Sequence, residues 1–394
     1  MDGSAYVDSE DGPAAETESW SSPPRSYRRK VFAAVLLMLA AVVLFFPARH
    51  YYAQWSAAEQ ARSALLAENY VEAFDPLTVL AEAGNPVAQF NLGLMYGQGQ
   101  GVAQNDGLAV YWFGKAAEAG NVEAASALSR LYYLGQGIKK DDQLALRWAR
   151  KAADEGNPAA QCLLGILYSR GEGVVKNDVQ AVSWWRKAAV AGNIEAAAGL
   201  GQAFYYGKGV EQDDRLAVIW ARKAAENGDA NGQYLLGILY NEGRGLAQDD
   251  GLAFDWWMKA AASGIAEAQY NVGVLYNTGR GIGEDKGQAF MWWSKAAKHG
   301  NVDAQLGLAY AYANGEGIAR DDKAAESWWL EAAKAGNVDA EASLGMLYYR
   351  GINGQPNYKE AAKWLLKASS HGHPAVQIYL DMMKEDGLLD TKTL

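Results

Sequence analysis

A 36-residue repeat runs through most of this chain and limits what it can fold into more than any other feature. Glycines recur at that interval in two series, from Gly84 to Gly372 and from Gly99 to Gly351. The stretches GKAAEAGNVEAASALSRLYYLGQG, RKAADEGNPAAQCLLGILYSRGEG and RKAAVAGNIEAAAGLGQAFYYGKG, which begin at positions 114, 150 and 186, are close copies of one another. Such self-similarity predicts a solenoid, in which each unit buries its apolar face only by stacking on its neighbours.

Each unit is predicted to fold as two helices, which we call the A helix and the B helix. The A helix begins after a pair such as Gly120-Asn121, whose polar side chain can cap free backbone N–H groups. It ends at the tyrosine before a Gly-x-Gly turn, so that the first A helix covers Pro86 to Tyr96. The B helix begins after an acidic pair such as Asp141-Asp142 and ends at the next glycine, which acts as a C-cap.

Tryptophan marks the packing surface of the predicted B helices. One tryptophan stands at the same position of every unit, in what we call the first register, and in four units another follows directly, in the second register. These twelve of the 14 tryptophans are expected to pack between consecutive units rather than to bind sugars. The first register is Trp112, Trp148, Trp184, Trp220, Trp256, Trp292, Trp328 and Trp364, and the second is Trp185, Trp257, Trp293 and Trp329.

The repeat resembles the Sel-1-like repeat family, a relative of the tetratricopeptide arrays. The resemblance is carried by AQYNVGVLYNTGRGI, Ala268 to Ile282, and by WWSKAAKHGN, Trp292 to Asn301, and it covers residues 85–373. It implies an all-α fold, a right-handed α/α solenoid of eight helix-turn-helix units that serves as a protein-interaction scaffold. A stack needs atypical ends, so we expect a degenerate capping unit over residues 49–84 and a capping helix with a tail over 374–394.

Residues 31–48 are predicted to be a transmembrane signal-anchor helix. Val31 to Phe46, VFAAVLLMLAAVVLFF, contains no polar side chain, and with the next two residues it reaches the roughly 17–25 residues that cross a bilayer. The alternatives are a cleaved signal peptide, whose basic region would be unusually long here, and a twin-arginine export signal. Residues 1–30, which begin with an acidic stretch containing Ser and Pro, are expected to be a disordered cytoplasmic tail.

The charges that flank this segment predict its orientation. Four basic residues precede it, whereas only Arg49 closely follows it, and an excess of Lys and Arg holds that side of a membrane helix in the cytoplasm. The repeats would then lie outside the cytoplasm, facing the periplasm from the inner membrane if the chain is bacterial. The four basic residues are Arg25, Arg28, Arg29 and Lys30.

The sequence does not point to catalysis, a cofactor or a bound metal. The single cysteine, Cys162, excludes an internal disulfide framework, and His371 and His373 have no evident third metal ligand. The Gly-x-Gly turns lack the strand and the Lys-Ser/Thr of a phosphate loop, and the acidic pairs lack the alternating spacing of a calcium loop. There is no Ser-x-x-Lys motif, and the formal net charge of −10 argues against nucleic acid as a partner.

The two helices of each unit expose different chemistry. At four outward positions of the B helix, nineteen of 32 residues are charged, which is typical of a solvated surface. At five outward positions of the A helix, which together we call the A-helix face, only four of forty residues are charged. An uncharged, tyrosine-bearing surface suits a binding groove, although a wider buried arc would give the same pattern. The B positions are those of Tyr111, Gly114, Lys115 and Glu118, and the A-helix face comprises those of Phe90, Asn91, Leu94, Gly97 and Gln98.

Five residues on the A-helix face are predicted to contact a partner, because a charge or a phenol there gains nothing from a dry core. The predicted function is a membrane-anchored, non-enzymatic scaffold that presents this concave face to a protein partner in the assembly or regulation of cell-envelope complexes. An alternative is an envelope glycan-binding module that uses the groove tyrosines, and a cell-wall hydrolase fits the pattern less well. The five residues are Arg130, Tyr133, Arg170, Tyr205 and Tyr206.

Overall fold

The computed structural model describes residues 51–389, and these residues form an all-α solenoid. They divide into two compact units, one that ends at Gln104 and one that begins at Asn105. Within the described range, the β pairing consists of an isolated bridge between Ile352 and Gln355. The all-α fold predicted from the repeat is therefore confirmed.

The described part of the unit that ends at Gln104 contains three helices. Pro76 lies inside the second of them, at the position where the later repeats carry the first-register tryptophan. Phe74 packs edge-on against Tyr96 of the third helix, with ring centroids 5.9 Å apart, so the two helices share a small core. The helices are α1 (51–66), α2 (Tyr70–Glu82) and α3 (Pro86–Gln98).

The unit that begins at Asn105 alternates B and A helices, each 13 residues long, and ends with a shorter helix. From α5 to α18, every helix packs against the helices before and after it, and the A helix α7 also contacts the A helices on either side of it. The B helices are α4 (Asp106–Glu118), α6 (Asp142–Asp154), α8 (Asp178–Val190), α10 (Asp214–Glu226), α12 (Asp250–Ala262), α14 (Lys286–Lys298), α16 (Asp322–Lys334) and α18 (Tyr358–Ser370). The A helices are α5 (Val122–Leu134), α7 (Pro158–Arg170), α9 (Ile194–Tyr206), α11 (Ala230–Glu242), α13 (Ala266–Thr278), α15 (Val302–Asn314) and α17 (Val338–Arg350), and α19 (Val376–Glu385) follows.

Side-chain caps set the start of these helices. Asn121 accepts a hydrogen bond from the backbone N–H of Ala124 at 2.7 Å, and Asp141 accepts one from that of Leu144 at 2.9 Å. An equivalent Asn or Asp caps the other helices from α4 to α18, except α13, where Ile265 at the N-cap makes no such bond. The acidic pairs are therefore capping residues, as the sequence predicts, whereas the A helices extend two residues further than the tyrosine expected to end them.

The Gly-x-Gly turn is required by backbone geometry at both glycines. Gly207 caps α9 with a φ of 67°, in the left-handed region that other residues rarely adopt. Gly209 has a φ of 71°, and a Cβ there would overlap the carbonyl oxygen of Asp178, at the start of the preceding B helix. The turn thus lets one repeat lie directly against the previous one, and turn geometry accounts for the motif.

Most tryptophans of the two registers pack between repeats, as predicted. Trp220 of α10 contacts two clusters of buried residues, one drawn mainly from α8 and α9 and the other from α9 to α11. In the second register, Trp257 and Trp329 are buried. In six repeats a lysine three residues on lies over the first-register ring and covers its outer side. These lysines are Lys151, Lys187, Lys223, Lys259, Lys295 and Lys367.

Candidate functional site: the A-helix face

Two of the five predicted contact residues meet across a repeat boundary. Arg170, the last residue of α7, donates from Nη1 to the hydroxyl oxygen of Tyr133 on α5 at 2.8 Å. Partial burial is the main cause of a raised pKa at Tyr133, and the charge of Arg170 works against it. Arg130 lies on α5 one turn before Tyr133, and its side chain is exposed, as is that of Arg170. The pair links neighbouring A helices and keeps a guanidinium at the surface.

The same two positions form a different link further along the array. The hydroxyl of Tyr205 on α9 donates to Glu242 Oε2 on α11 at 2.8 Å, and the guanidinium of Arg244 lies 3.9 Å from the centroid of the tyrosine ring. Burial, followed by the bond to Glu242, raises the pKa of Tyr205 to about 12. Tyr205 is only 8% exposed. The expectation that a phenol here stays out of the core is therefore wrong for this residue, because the carboxylate supplies the partner that its hydroxyl needs.

Tyr206, by contrast, is 57% exposed. Its ring packs edge-on against that of Tyr205, with centroids 4.7 Å apart, and the ammonium of Lys208 lies 4.9 Å from its centroid. The two adjacent tyrosines therefore differ: Tyr205 links neighbouring repeats, and Tyr206 faces solvent. The structure leaves the binding role of both residues as a prediction.

A pocket of about 170 Å³ opens beside Tyr206, between α7 and α9. The indole of Trp185 lines it, and a Cβ on Gly199 would lie 3.0 Å from the ring carbons of that indole. The mouth is polar, because Lys176 and Lys208 come from the turns that follow α7 and α9, and Asp178 is the first residue of α8. An aromatic wall with charged groups around it can hold a side chain of a partner.

A second pocket, of about 430 Å³, opens between α15 and α17 and was not predicted from the sequence. Trp329 lines it, and the Tyr310 ring stands edge-on to that indole with centroids 5.5 Å apart. The hydroxyls of Tyr310 and Ser343 are 2.9 Å apart, which ties the two A helices together. A usable signal is present in the sequence: a small residue stands fourteen positions after the second-register tryptophan in both pockets.

Ion pairs between successive turns flank the A-helix face. Arg244 Nη2 donates to Asp214 Oδ1 at 2.6 Å, and this bond is the main cause of a lowered pKa at Asp214. In the next repeat Arg280 pairs with Asp250 at 2.9 Å. In the repeat after that the charges are exchanged, and Lys286 stands 3.8 Å from Glu316. These three consecutive repeats thus keep opposite charges at the two positions, whereas Asp142 and Glu172, two repeats before the first of them, are both acidic.

The B-helix surface departs from the charged character predicted for it at α8. Val179 and Val190 are 64% and 76% exposed, and they line a depression of about 790 Å³ together with Arg186 and Lys187. Most other repeats carry polar or charged residues at the position of Val190. The polar or charged residues are Glu118, Asp154, Glu226, Lys298, Lys334 and Ser370, and the exception is Ala262.

His371 and His373 pair with carboxylates, and Cys162 is buried in the core. His371 Nδ1 lies 2.8 Å from the buried carboxylate of Glu341, and His373 Nε2 lies 3.3 Å from Asp339. Cys162 is 2% exposed, and burial raises the pKa of its thiol, which makes it a poor nucleophile. Between residues 51 and 389, no group of three or more His, Cys, Asp or Glu side chains is placed to hold a metal ion.

The predicted anchor over residues 31–48 and the predicted tail before it lie outside the described residues. Within the described range, none of the helices combines the length and the apolar character that crossing a bilayer requires.

Sequence comparison assigns the repeat. The profile of the Sel1 repeat matches the chain eight times in succession, over residues 86–121, 122–157, 158–193, 194–229, 230–265, 266–301, 302–337 and 338–373. A comparison with curated proteins gave no significant match.

Two solved structures are similar to this chain in both sequence and fold. One is a protective antigen present in uropathogenic Escherichia coli strains that displays an SLR fold; it is 32% identical, with a TM-score of 0.69, and the alignment covers 86% of this chain and 75% of the antigen. The other is a Sel1 repeat protein from Oxalobacter formigenes, 33% identical, with a TM-score of 0.54 and coverage of 78% and 89%. With its repeats matched from end to end and relatives this similar over most of its length, the chain belongs to the Sel1 repeat family.

Proposed function

We propose that this protein is a non-enzymatic scaffold whose A-helix face binds an extended segment of a partner protein. Sel1 repeat proteins commonly act as protein-interaction scaffolds. The observation that carries the proposal for this chain is the open pocket beside Tyr206. An exposed phenol, an indole and three charged side chains line this pocket, on a face that otherwise carries few charges. Exposed aromatic residues beside a pocket are what the centre of a protein interface uses.

Crosslinking from defined positions tests this function. The full-length chain, with a photoreactive phenylalanine analogue in place of Tyr206 or Arg130, is irradiated in the cells that make it, and adducts are identified by mass spectrometry. We expect the same partner protein from both positions. Arg222, exposed on the B helix α10, is the matched control and should give no such adduct. Equal capture from all three positions, or none from the A-helix face, would contradict the proposal.

We further propose that residues 31–48 anchor the scaffold in a membrane, with the N-terminus in the cytoplasm and the repeats on the other side. The apolar run and the basic residues before it support this placement. A role in assembling or regulating cell-envelope complexes follows from that location. Reporter fusions at residues 20 and 394 test it: only the second should report the extracytoplasmic side. The opposite result, or release of the repeats as a cleaved product, would overturn the anchor.

A glycan-binding module is the second candidate function. The pocket beside Tyr206 favours it, since an indole wall with Gln202, Ser169 and Asp178 around it offers both stacking and hydrogen bonds to a sugar. Under this function, soluble envelope glycans raise the melting temperature of the protein, and Gln202→Leu removes the rise. Turnover of cell-wall material would instead indicate a hydrolase.

A further inference from the structure

The two pockets on the A-helix face occupy the same place in the repeat. Residues 144 positions apart, which is four repeats, line them both, so that Trp185, Gly199 and Tyr206 of one correspond to Trp329, Ser343 and Arg350 of the other. In each case an indole from a B helix meets a small residue on the following A helix. A feature that recurs in register is a property of the array rather than an accident of one loop.

The walls of both pockets favour a large apolar or aromatic side chain. In the first pocket the indole of Trp185 faces the groove beside the exposed Tyr206. In the second pocket Tyr310, Tyr349 and Tyr379 join Trp329, and the rings of Tyr349 and Tyr379 are 5.6 Å apart. Aromatic rings attract one another edge-on or offset beyond the gain from simple burial.

Each pocket also presents a cation that its neighbours do not fully neutralise. At the first, Asp178 is 3.8 Å from Lys176, while Lys208 lies over the Tyr206 ring, and that contact leaves its charge intact. At the second, both oxygens of Asp322 accept from Arg320, at 3.0 and 3.2 Å. Arg350 is left 3.9 Å from the same carboxylate, beyond hydrogen-bond distance, with a side chain that is 56% exposed.

We propose that both pockets bind acidic segments of the partner protein. Each takes one large apolar or aromatic side chain against the indole, while a neighbouring Asp or Glu of the partner pairs with Lys208 in the first pocket and with Arg350 in the second. The inference rests on the proposed scaffold function and adds the chemistry of the partner. With two such sites on one array, a partner held at one pocket meets the other at a high effective concentration, so the overall affinity exceeds that of either site.

Two short peptides serve as probes: acetyl-Glu-Phe-Glu-amide, and acetyl-Lys-Phe-Lys-amide as its charge-reversed control. The full-length chain is labelled with 5-fluorotryptophan and titrated while the fluorine NMR signals are recorded. The signals of Trp185 and Trp329 should shift with the acidic peptide at concentrations roughly tenfold lower than with the basic one, the difference expected for one charge-assisted hydrogen bond gained against one repulsion.

Single variants locate the two sites. Lys208→Gln should weaken only the response of Trp185, and Arg350→Gln only that of Trp329, each by about fivefold to tenfold. Gln202→Trp, at an exposed position that lines the first pocket, should abolish the Trp185 response by filling the space. Lys298→Gln removes an exposed lysine from the B helix α14 and should change neither response.

The inference is overturned if the two peptides act equally, if the charge variants change nothing, or if the shifts occur at other tryptophans. A response to envelope glycan fragments in place of peptide would assign the pockets to carbohydrate. A partner crosslinked at Tyr206 whose capture ignores Lys208→Gln and Arg350→Gln would leave the scaffold function standing without this inference. Peptide binding at the pockets without any crosslinked partner would leave this inference standing without the scaffold function.

Discussion

Two neighbouring repeats fill the same space between a B helix and the following A helix with different pairs of side chains. In one, the indole of Trp185 lies against Gly199 and a pocket remains beside it. In the next, Ala221 and Leu235 hold the equivalent positions, and Leu235 is 2% exposed within the buried core. Because interiors are close-packed, the combined volume of the two side chains is constrained more tightly than either one. The array can therefore open or close its A-helix face at a given repeat while keeping the fold.

Converting the closed repeat into an open one gives the largest expected effect. Leu235→Gly alone should lower the free energy of unfolding by about 3–5 kcal/mol, because it leaves a cavity and places glycine in a helix. Ala221→Trp alone overpacks the same space and should cost about 1–3 kcal/mol. The double variant should recover at least about 2 kcal/mol of the summed loss. Gly201 is already small where the indole edge would lie, as Gly165 is beside Trp185. Denaturant unfolding of the full-length chain measures all three.

The matched control is the other closed repeat, with Ala149 and Leu163 at these positions. There the residue equivalent to Gly201 is Ser129, which is fully buried. Ala149→Trp with Leu163→Gly should therefore recover less than the first double variant, since the serine side chain obstructs the indole. Strict additivity in both pairs would show that the two positions do not share one volume.

The repeat period sets most of the fold in advance. Its glycines mark every turn, and the Asn or Asp before each helix marks its start, so residues such as Asn121 and Asp141 could be identified as caps without coordinates. The candidate site was less accessible to sequence reasoning. Tyr205 and Tyr206 are adjacent and look alike in sequence, and only the position of Glu242, 37 residues later, separates the buried one from the exposed one.

The pocket beside Trp329 was missed for a related reason. The tryptophan was correctly assigned to packing between repeats. Its indole can nevertheless also line a pocket, because the facing residue, Ser343, is too small to fill the space beside it. Pairing each second-register residue with the one fourteen positions later would have indicated both pockets, together with Trp293 and Gly307, where an indole also meets a small residue. Charge exchange, as between Lys286 and Glu316, likewise appears only when positions thirty residues apart are compared.

A second comparison sets Asp322 against Asp250, its equivalent two repeats earlier. Asp322 is 5% exposed, and its bond to Arg320, opposed by burial, lowers its pKa. Asp322→Asn should cost about 1–3 kcal/mol near pH 7. A carboxyl pKa that is lower in the folded state stabilises above its unfolded value of about 3.9, and this stabilisation is lost as the pH falls through the folded pKa. The difference between wild type and variant should therefore shrink on acidification.

Asp250→Asn is the control, because the Asp250 side chain is 21% exposed, whereas that of Asp322 is buried. Exposed ion pairs contribute about 0–1 kcal/mol, and salt screens them. The effect of this substitution should be smaller than that of Asp322→Asn and should fade in 0.5 M NaCl. An equal loss from both variants would mean that burial does not distinguish the two repeats.

Tyr205→Phe should have a smaller effect, of about 1 kcal/mol, because it removes the donor to Glu242 without opening a cavity. The pKa of Tyr205 is raised to about 12, above the value of about 10 for a free tyrosine. Its contribution is thus fully present below pH 10 and is lost as the pH rises through 12. Urea unfolding at pH 8 and pH 11 should show the gap between wild type and Tyr205→Phe narrowing, whereas Tyr206→Phe should leave stability nearly unchanged at both.

The smallest effect on stability is expected at Tyr133 and Arg170, which hold the same positions two repeats before Tyr205 and Glu242. Their bond lies at the surface, where water replaces either partner, so Tyr133→Phe, Arg170→Gln and the double variant should each change the free energy of unfolding by less than about 0.5 kcal/mol. Because these substitutions hardly change stability, they can test partner binding separately from folding. Since the core does not depend on this pair, weaker crosslinking of a partner from position 130 in these variants would report a lost contact. A destabilisation comparable to that of Tyr205→Phe would instead show that the bridge is structural in both repeats, and that its register, rather than its burial, determines its role.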